Sequence, residues 1–229
     1  MVSNSKVEKI FPHDLHLEIL PTATRKAFLK CTAITFFSDS PWYLAGGTAL
    51  GLQVAHRQSV DLDFFTPQKF LSKSRLERQM IHYGDWATSF GDEGTLYGKF
   101  LKAKVSFIAY PFFRPSSEQL LCGTLRILKP HDIAAMKIIA ISQRGRKRDF
   151  VDLYWYCLNR EPLLEVIRRA IKQYPGQEQN IPHFLKSLAY FEDAEADPSP
   201  KVFFKADWKT IKKFFERETK LVAQKLLKL

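Results

Sequence analysis

The chain has 229 residues, of which 45% are hydrophobic and 14% aromatic, and this suffices for one large or two small compact domains. No segment approaches the roughly 20 apolar residues that cross a bilayer, and the first residues lack the apolar core of a signal peptide. We therefore expect a cytoplasmic protein without a membrane span. The net charge of +11 favours polyanionic partners such as RNA, DNA or nucleotides, although many basic proteins bind none of these.

The three cysteines are Cys31, Cys122 and Cys157, and their spacing fits neither a zinc site nor a paired framework. Reduced thiols within the core are expected for a cytoplasmic protein.

The first half of the chain alternates helical and strand patterns. Residues 13–35 read as helical with an interruption at Pro21, and Pro41 leads into a short strand ending at Leu44. A glycine turn and a helix over residues 48–56 follow. The patterns then predict a strand over 60–65, a helix over 69–83, two strands over 86–90 and 95–100 joined by a hairpin turn, and a strand over 104–110. This alternation predicts mixed α and β structure with a small sheet.

From about residue 126 the pattern becomes helical. The apolar spacing predicts helices over residues 131–143, 148–159, 162–174, 179–190 and 207–227. Residues 193–201 contain Pro198 and Pro200 and read as a loop. The change of pattern predicts two domains, residues 1–125 and 126–229.

One stretch, YLAGGTALGLQVAHRQSVDLDFF at residues 43–65, combines a glycine turn with two nearby carboxylates. Gly46 and Gly47 permit a turn directly before a helix, whose N-terminus attracts anions. Alternation in the following strand places Asp61 and Asp63 on one face, where two carboxylates can bind a divalent cation. Phosphoryl transfer needs both a phosphate cradle and such carboxylates. The alternative is a structural glycine turn followed by exposed acids.

Two segments together resemble a known family: LAGGTALGLQVAHRQSVDLDFF and LKPHDIAAMKIIAISQRGRKRDFVDLYWYCL. They resemble the AbiEii/AbiGii toxins, which belong to the nucleotidyltransferase superfamily and act in type IV toxin–antitoxin systems. The resemblance covers residues 40–160. It implies an α+β fold, namely a small mixed sheet flanked by helices and followed by a helical C-terminal domain. It also implies Mg²⁺-dependent transfer of a nucleoside monophosphate from an NTP to an acceptor, with RNA, and tRNA in particular, as the acceptor and an antitoxin as a partner.

The resemblance assigns roles to particular residues of the first motif. Gly46, Gly47 and Thr48 would bind the triphosphate, and Asp61 and Asp63 would coordinate Mg²⁺ as catalytic ligands. Apart from the resemblance, Arg57 and Ser59, which come just before the strand with both aspartates, are candidates for contact with the nucleotide. Arg57 could equally pair with a neighbouring acid.

In the second motif, Lys137 and Asp152 are the candidate catalytic residues. The Lys137 ammonium would reach phosphate, whereas the alternative is a lysine whose stem covers the core while its head reaches water. Asp149 and Asp152 lie three residues apart and share one helix face. Asp149 could instead cap the helix or pair with Arg146 or Arg148.

The chain departs from the superfamily pattern at Ser106, on the strand where a third carboxylate is usual. A serine there puts two-metal catalysis in doubt. A catalytically degenerate protein that binds nucleotide, nucleic acid or a protein partner is therefore the second hypothesis. In the third, the cleft is only a scaffold for partner binding.

Two basic regions could bind nucleic acid. The loop formed by Arg144, Arg146, Lys147 and Arg148 could dock a phosphate-rich acceptor, and the alternative is an exposed, solvated helix connection. The last helix has an apolar stripe expected to pack on the body and an opposite face rich in lysine, for which solvation is the default.

Overall fold

The computed structural model describes residues 7–116, 118–177 and 180–227. The chain divides into two compact units, Met1–Lys129 and Pro130–Leu229. The division lies slightly beyond the one expected after residue 125, because the last strand of the sheet, Leu125–Leu128, belongs to the first unit.

The first unit contains eight strands and four α-helices within its described residues. In chain order they are β1 (Val7–Ile10), α1 (Thr22–Cys31), α2 (Thr35–Ser38), β2 (Tyr43–Ala45), α3 (Gly46–Val54), β3 (Asp61–Thr66), α4 (Lys73–Tyr83), β4 (Trp86–Gly91), β5 (Thr95–Phe100), β6 (Ala103–Ala109), β7 (Gln119–Cys122) and β8 (Leu125–Leu128). All eight strands form one mixed sheet in the order β1-β7-β8-β2-β3-β6-β5-β4. The α+β fold class is thereby confirmed, with a larger sheet than expected.

Three strands of this sheet were missing from the sequence-based prediction. Strands β7 and β8 form a hairpin around Gly123, whose φ of +60° suits glycine. β1 then pairs parallel to β7, and β8 pairs parallel to β2. These strands have four residues each and lack a clear alternation, so non-local pairing rather than local pattern defines them.

The sheet has one face buried under helices. Strand β3 alternates half-buried and buried residues, with Leu62 and Phe64 fully buried. α1 contacts β3 and β6 on this side, and Phe37 of α2 stacks on Phe64 with ring centroids 4.9 Å apart. The alternate residues of β3, including Asp61 and Asp63, lie on the other face, here named the carboxylate face.

The N-terminal segment differs from the helix expected over residues 13–35. Two single 3₁₀ turns, Pro12–Asp14 and Leu17–Ile19, precede α1. Pro21 disfavours helical geometry in the residue before it, so α1 begins only after this proline.

The second unit is helical, as predicted. Its helices are α5 (Pro130–Arg144), α6 (Lys147–Asn159), α7 (Leu163–Gln173), α8 (Ile181–Leu188), α9 (Glu192–Glu195) and α10 (Trp208–Leu227). The short α9 occupies part of the expected loop. Along α10 the apolar stripe is buried at Ile211, Phe215 and Val222, and this helix contacts α6, α7 and α8.

No helix among the described residues is long and apolar enough to cross a bilayer. The three cysteines are free thiols, with Cys31 and Cys122 buried and Cys157 half-buried. Burial raises the pKa of Cys122 to about 11 and also raises the pKa values of Cys31 and Cys157, so these thiols remain protonated at neutral pH.

Candidate functional site

The glycine turn brings bare backbone against a carboxylate. Strand β2 ends at Ala45, which pairs with Asp63 across the antiparallel β2–β3 ladder. Gly46 then turns with φ +70° and begins α3. A Cβ atom at Gly46 would lie 2.8 Å from Asp63 Oδ2. Only glycine therefore provides both the backbone geometry and the space for the Asp63 carboxylate.

The start of α3 also provides hydrogen-bond donors. The first backbone amides of a helix have no partner within the helix, and the helix dipole makes this end attractive to anions. In this chain those amides begin at Gly46 and Gly47, beside the Asp63 side chain. A phosphate and a carboxylate-bound cation could thus lie side by side.

Thr48 and Ser59 brace this arrangement from within. The Thr48 hydroxyl donates to the backbone carbonyl of Asp61 and lies 2.8 Å from the Ser59 hydroxyl oxygen. Both side chains are buried. Their hydroxyls hold the first turn of α3 against β3, so their observed contacts are internal to the fold.

Asp61 and Asp63 lie on the carboxylate face and are half-buried. Their neighbours on the parallel strand β6 are Lys104, opposite Asp61, and Ser106, opposite Asp63. The Ser106 hydroxyl donates to Asp63 Oδ1 over 2.5 Å. The serine therefore lies beside Asp63, and its hydroxyl orients that carboxylate.

Arg57 lies inside the first unit. It is buried, and its Nη1 donates to the carbonyl of Gln58 over 2.9 Å. At least this part of the guanidinium has a structural role.

The donor set on the carboxylate face fits one magnesium ion held jointly with a nucleotide. Among the described residues there is no group of three or more acidic, histidine or cysteine side chains suited to a metal. Magnesium is commonly held by one or two carboxylates together with substrate phosphates and water. Asp61 and Asp63 meet that requirement, and the absence of a Cβ atom at Gly46 allows Asp63 Oδ2 to lie against the start of α3.

In the second unit, Lys137 of α5 is buried against two acids of α6. Its Nζ lies 2.5 Å from Asp149 Oδ1 and 2.6 Å from Asp152 Oδ2. Arg144 adds a contact of 3.2 Å to Asp149 Oδ2. The sequence left open a lysine whose ammonium reaches water, but the Lys137 ammonium is buried between the two acids. The positive charges of Lys137 and Arg144 offset the negative charges of Asp149 and Asp152. This cluster joins α5 to α6.

This cluster sets the protonation state of Asp149. Burial acts to raise its pKa, but the positive charges of Lys137 and Arg144 outweigh burial and lower the pKa below the ordinary value. Asp149 is therefore ionised at neutral pH. Its partners differ from Arg146 and Arg148, which the sequence suggested.

The predicted basic loop is divided between surface and interior. Arg144 and Arg146 keep more than half of their side-chain surface exposed, and Arg146 pairs with Asp197 at 2.8 Å. Lys147 is buried, and its Nζ donates to the backbone carbonyls of Glu195 and Asp197. Lys147 thus anchors α6 and is not part of an exposed cationic surface.

Two features of the site were missed from the sequence. One is the strand register that places Lys104 of β6 opposite Asp61 of β3, and the other is the contact of Arg144 with Asp149. The strand over 104–110 was predicted, but the register that brings Lys104 beside Asp61 is a tertiary property. Arg144 was assigned to the acceptor surface because it belongs to a run of charges.

The fold is similar to that of several solved structures, among them a nucleotidyltransferase toxin. JHP933 from Helicobacter pylori superposes with a TM-score of 0.53 at 17% identity, over 91% of this chain and 95% of that one. The nucleotidyltransferase toxin MenT4, Rv2826c, from Mycobacterium tuberculosis H37Rv gives a TM-score of 0.51 at 15% identity, over 89% and 86% of the two chains. At these identities the likeness concerns the fold.

Sequence comparison gives a nearer relative and a family. The uncharacterized protein aq_aa25 of Aquifex aeolicus (strain VF5) is 33% identical over 201 residues, which cover 86% of this chain and 94% of that protein. The model of the nucleotidyl transferase AbiEii toxin of type IV toxin–antitoxin systems matches residues 27–94 and 114–227. These matches include both motifs and most of both units. The chain belongs to the AbiEii nucleotidyl transferase toxin family.

Proposed function

We propose that the protein is a Mg²⁺-dependent nucleotidyltransferase that transfers a nucleoside monophosphate from an NTP to an RNA acceptor, and to tRNA in particular. The observation that carries the proposal is the approach of the Asp63 carboxylate to the bare Gly46 backbone at the start of α3. Membership of the AbiEii family supports the same reaction class. A toxin role in the cytoplasm with a cognate antitoxin belongs to this proposal.

The reaction is a displacement at the α-phosphorus of the NTP. The acceptor hydroxyl oxygen forms a bond to this phosphorus, the bond between the α-phosphorus and the bridging oxygen breaks, and pyrophosphate leaves with the bond electrons. The hydroxyl proton is released to water. A bound magnesium ion neutralises charge on the phosphates.

The residues of the first unit position the nucleotide. The Gly46 and Gly47 amides bind phosphate oxygens, and Asp61 and Asp63 hold the ion. Ser106 fixes the Asp63 carboxylate through its hydrogen bond. Thr48 and Ser59 keep the first turn of α3 on β3. Arg57, buried next to this segment, supports the loop that leads into β3.

The second unit contributes the buried cluster of Lys137, Asp149 and Asp152. In the proposal its function is to hold α5 and α6 in one arrangement through the contacts of the Lys137 ammonium with both acids. The exposed Arg144 and Arg146 provide positive charge for an RNA backbone. The net charge of +11 is consistent with such an acceptor.

A second candidate function is nucleotide binding without turnover. The Ser106 hydroxyl, in place of a third carboxylate, favours it, because loss of one carboxylate removes a ligand for a second metal ion. One metal ion is enough to bind Mg·NTP.

Incubation with RNA and either α-³²P-labelled or γ-³²P-labelled NTP tests the proposal. We expect Mg²⁺-dependent incorporation of the α label, no incorporation of the γ label, and loss of activity in Asp61→Asn and Asp63→Asn. Mg²⁺-dependent NTP binding without incorporation, together with incorporation by Ser106→Asp, would favour the second candidate. Retention of activity in both asparagine variants would refute the proposed site.

A further inference from the structure

The carboxylate face continues beyond Asp63 onto the outer strands. The register pairs Asp63 of β3 with Ser106 of β6, Ser106 with Tyr97 of β5, and Tyr97 with Phe90 of β4. Paired residues on neighbouring strands project to the same face of a sheet. These four side chains therefore form one row. With strands about 4.8 Å apart, the row extends roughly 14 Å from Asp63 to Phe90.

The outer end of this row is an exposed aromatic pair. Phe90 is 54% exposed and Tyr97 is 42% exposed. Their ring centroids lie 6.0 Å apart, and the ring planes are tilted by 31°. Exposed aromatic rings on a sheet provide a surface on which unpaired nucleic-acid bases stack.

A second row on the same face carries positive charge. Asp61 pairs with Lys104 of β6, and Lys104 pairs with Lys99 of β5. Both lysines are exposed. Across the described residues neither ammonium forms a salt bridge. Like charges on directly opposed strand positions disfavour folding, and a bound anion would relieve the repulsion.

Aromatic rings and lysines thus lie in neighbouring rows that begin at Asp61 and Asp63, the proposed metal ligands. Bases need aromatic surfaces, and the phosphates that connect them need positive charge. A base-paired duplex has its base faces already stacked, so this combination fits a single strand better than a duplex.

We propose that Phe90, Tyr97, Lys99 and Lys104, here named the β4–β6 platform, bind a single-stranded RNA segment of the acceptor. The aromatic rings stack on its bases, the lysines contact its phosphates, and the row directs its end toward Asp63. The inference rests on the proposed function, since it names the acceptor class of that site.

Binding of fluorescein-labelled single-stranded oligouridine to the full chain tests the aromatic pair, with fluorescence anisotropy as the readout. We expect the double variant Phe90→Ala and Tyr97→Ala to bind at least about tenfold more weakly, given the usual contribution of base stacking. Phe112, which is 70% exposed and lies after β6, provides the matched control. Phe112→Ala should retain the wild-type affinity.

The salt dependence of the same binding tests the lysines. Removal of two phosphate contacts in Lys99→Ala with Lys104→Ala should reduce the slope of log affinity against log salt by roughly 1.4. Lys26→Ala with Lys30→Ala removes two exposed charges from α1, which contacts the buried side of β3 and β6. We expect that control to keep the wild-type slope.

Unchanged affinity in the aromatic variant with an unchanged slope in the lysine variant would overturn the platform, as would equal affinity for a duplex of the same length. A DNA oligonucleotide of the same sequence that binds tighter would overturn the choice of RNA. Thermal unfolding of each variant verifies that it is folded.

Calorimetric titration with Mg·NTP separates this inference from the proposed function. The variant Phe90→Ala with Tyr97→Ala should bind Mg·NTP like the wild type, because neither ring lies at the glycine turn or directly beside Asp61. NTP binding without platform-dependent RNA binding refutes the platform alone. Platform-dependent RNA binding in a wild-type chain that binds no NTP supports the platform and refutes the proposed function.

Discussion

At the residue scale, the closest link between sequence and site is the contact between Gly46 and Asp63. The sequence showed a glycine turn at Gly46 and two aspartates, Asp61 and Asp63, that follow it 15 and 17 residues further along the chain. The antiparallel register of β2 and β3 brings Ala45 opposite Asp63 and so places the turn on the carboxylate. Ser106 fixes the other oxygen of the same carboxylate. Asp63 is thus held on both sides.

Substitution of Gly46 by alanine tests this contact. The added Cβ would lie 2.8 Å from Asp63 Oδ2 and would force a left-handed residue with a side chain, which costs roughly 1–2 kcal/mol. Gly176→Ala is the matched control, because its φ is +85° and no atom lies within 4 Å of the added Cβ. In urea denaturation Gly46→Ala should lose more stability than Gly176→Ala, and in calorimetry it alone should lose Mg·NTP binding. Equal losses of stability with intact binding would contradict the contact.

Two substitutions at Ser106 test its role beside Asp63. Ser106→Ala removes a hydrogen bond to a charged group, which is typically worth about 1.5–3 kcal/mol. Ser106→Asp places a second negative charge next to Asp63, so its melting temperature should fall in EDTA and rise when Mg²⁺ is added. The measurement is thermal unfolding with and without Mg²⁺. A melting temperature of Ser106→Asp that ignores Mg²⁺ would show that the two side chains do not share an ion.

At the element scale, helices α5 and α6 are joined by a buried ionic cluster. Lys137 contributes from α5, and Asp149 and Asp152 contribute from α6. Removal of one partner from a buried ionic cluster strongly destabilises the fold, because it leaves a buried charge without an opposite charge beside it. The cluster therefore makes the α5–α6 arrangement depend on three side chains.

Lys137→Met should destabilise the chain by about 3–5 kcal/mol, since it leaves the two buried carboxylates without the ammonium that contacts both. Adding Asp149→Asn and Asp152→Asn to this variant should recover part of the loss, because no buried charge then lacks a partner and the exposed Arg144 remains solvated. Urea denaturation at pH 7 measures both. Lys172→Met on α7 changes an exposed lysine and is the control. A Lys137→Met variant as stable as Lys172→Met would contradict the cluster.

The pKa of Asp149 gives a pH prediction. Because the folded chain holds this pKa below the ordinary value of 3.8, the contribution of Asp149 to stability is complete above about pH 4 and is lost as pH falls through the folded pKa. In Asp149→Asn the unfolding free energy should be lower at pH 7 and should fall less steeply below pH 4. Asp85→Asn, at an exposed position, should follow the wild-type curve. Identical acid slopes in Asp149→Asn and the wild type would contradict this assignment.

The same scale shows what the sequence could predict. The helices of the second unit were found because their apolar spacing is local and repeats along the chain. The strands β1, β7 and β8 were missed, since short strands acquire their identity from distant partners. Likewise, the alternation in β4 and β5 predicted strands, but only the register shows that Tyr97 and Ser106 are neighbours.

At the scale of the whole molecule, the site depends on features of different origin. The glycine turn and both aspartates could be recognised from the sequence, because phosphate and metal binding require these residue types. The burial of Lys147 and the pairing of Lys137 with two acids were not legible, because a run of charges has the same composition whether it faces water or the interior. The family model matches the segments that contain both motifs, so the two motifs belong to the same family pattern.

The central claim is that Asp61, Asp63 and the Gly46 turn bind a metal–nucleotide complex. Isothermal titration of the full chain with NTP, in Mg²⁺ and in EDTA, measures this most directly. We predict saturable binding with one site per chain in Mg²⁺, and its loss in EDTA and in Asp63→Asn. NTP binding that is equally strong in EDTA, or that persists unchanged in Asp63→Asn, would contradict the account.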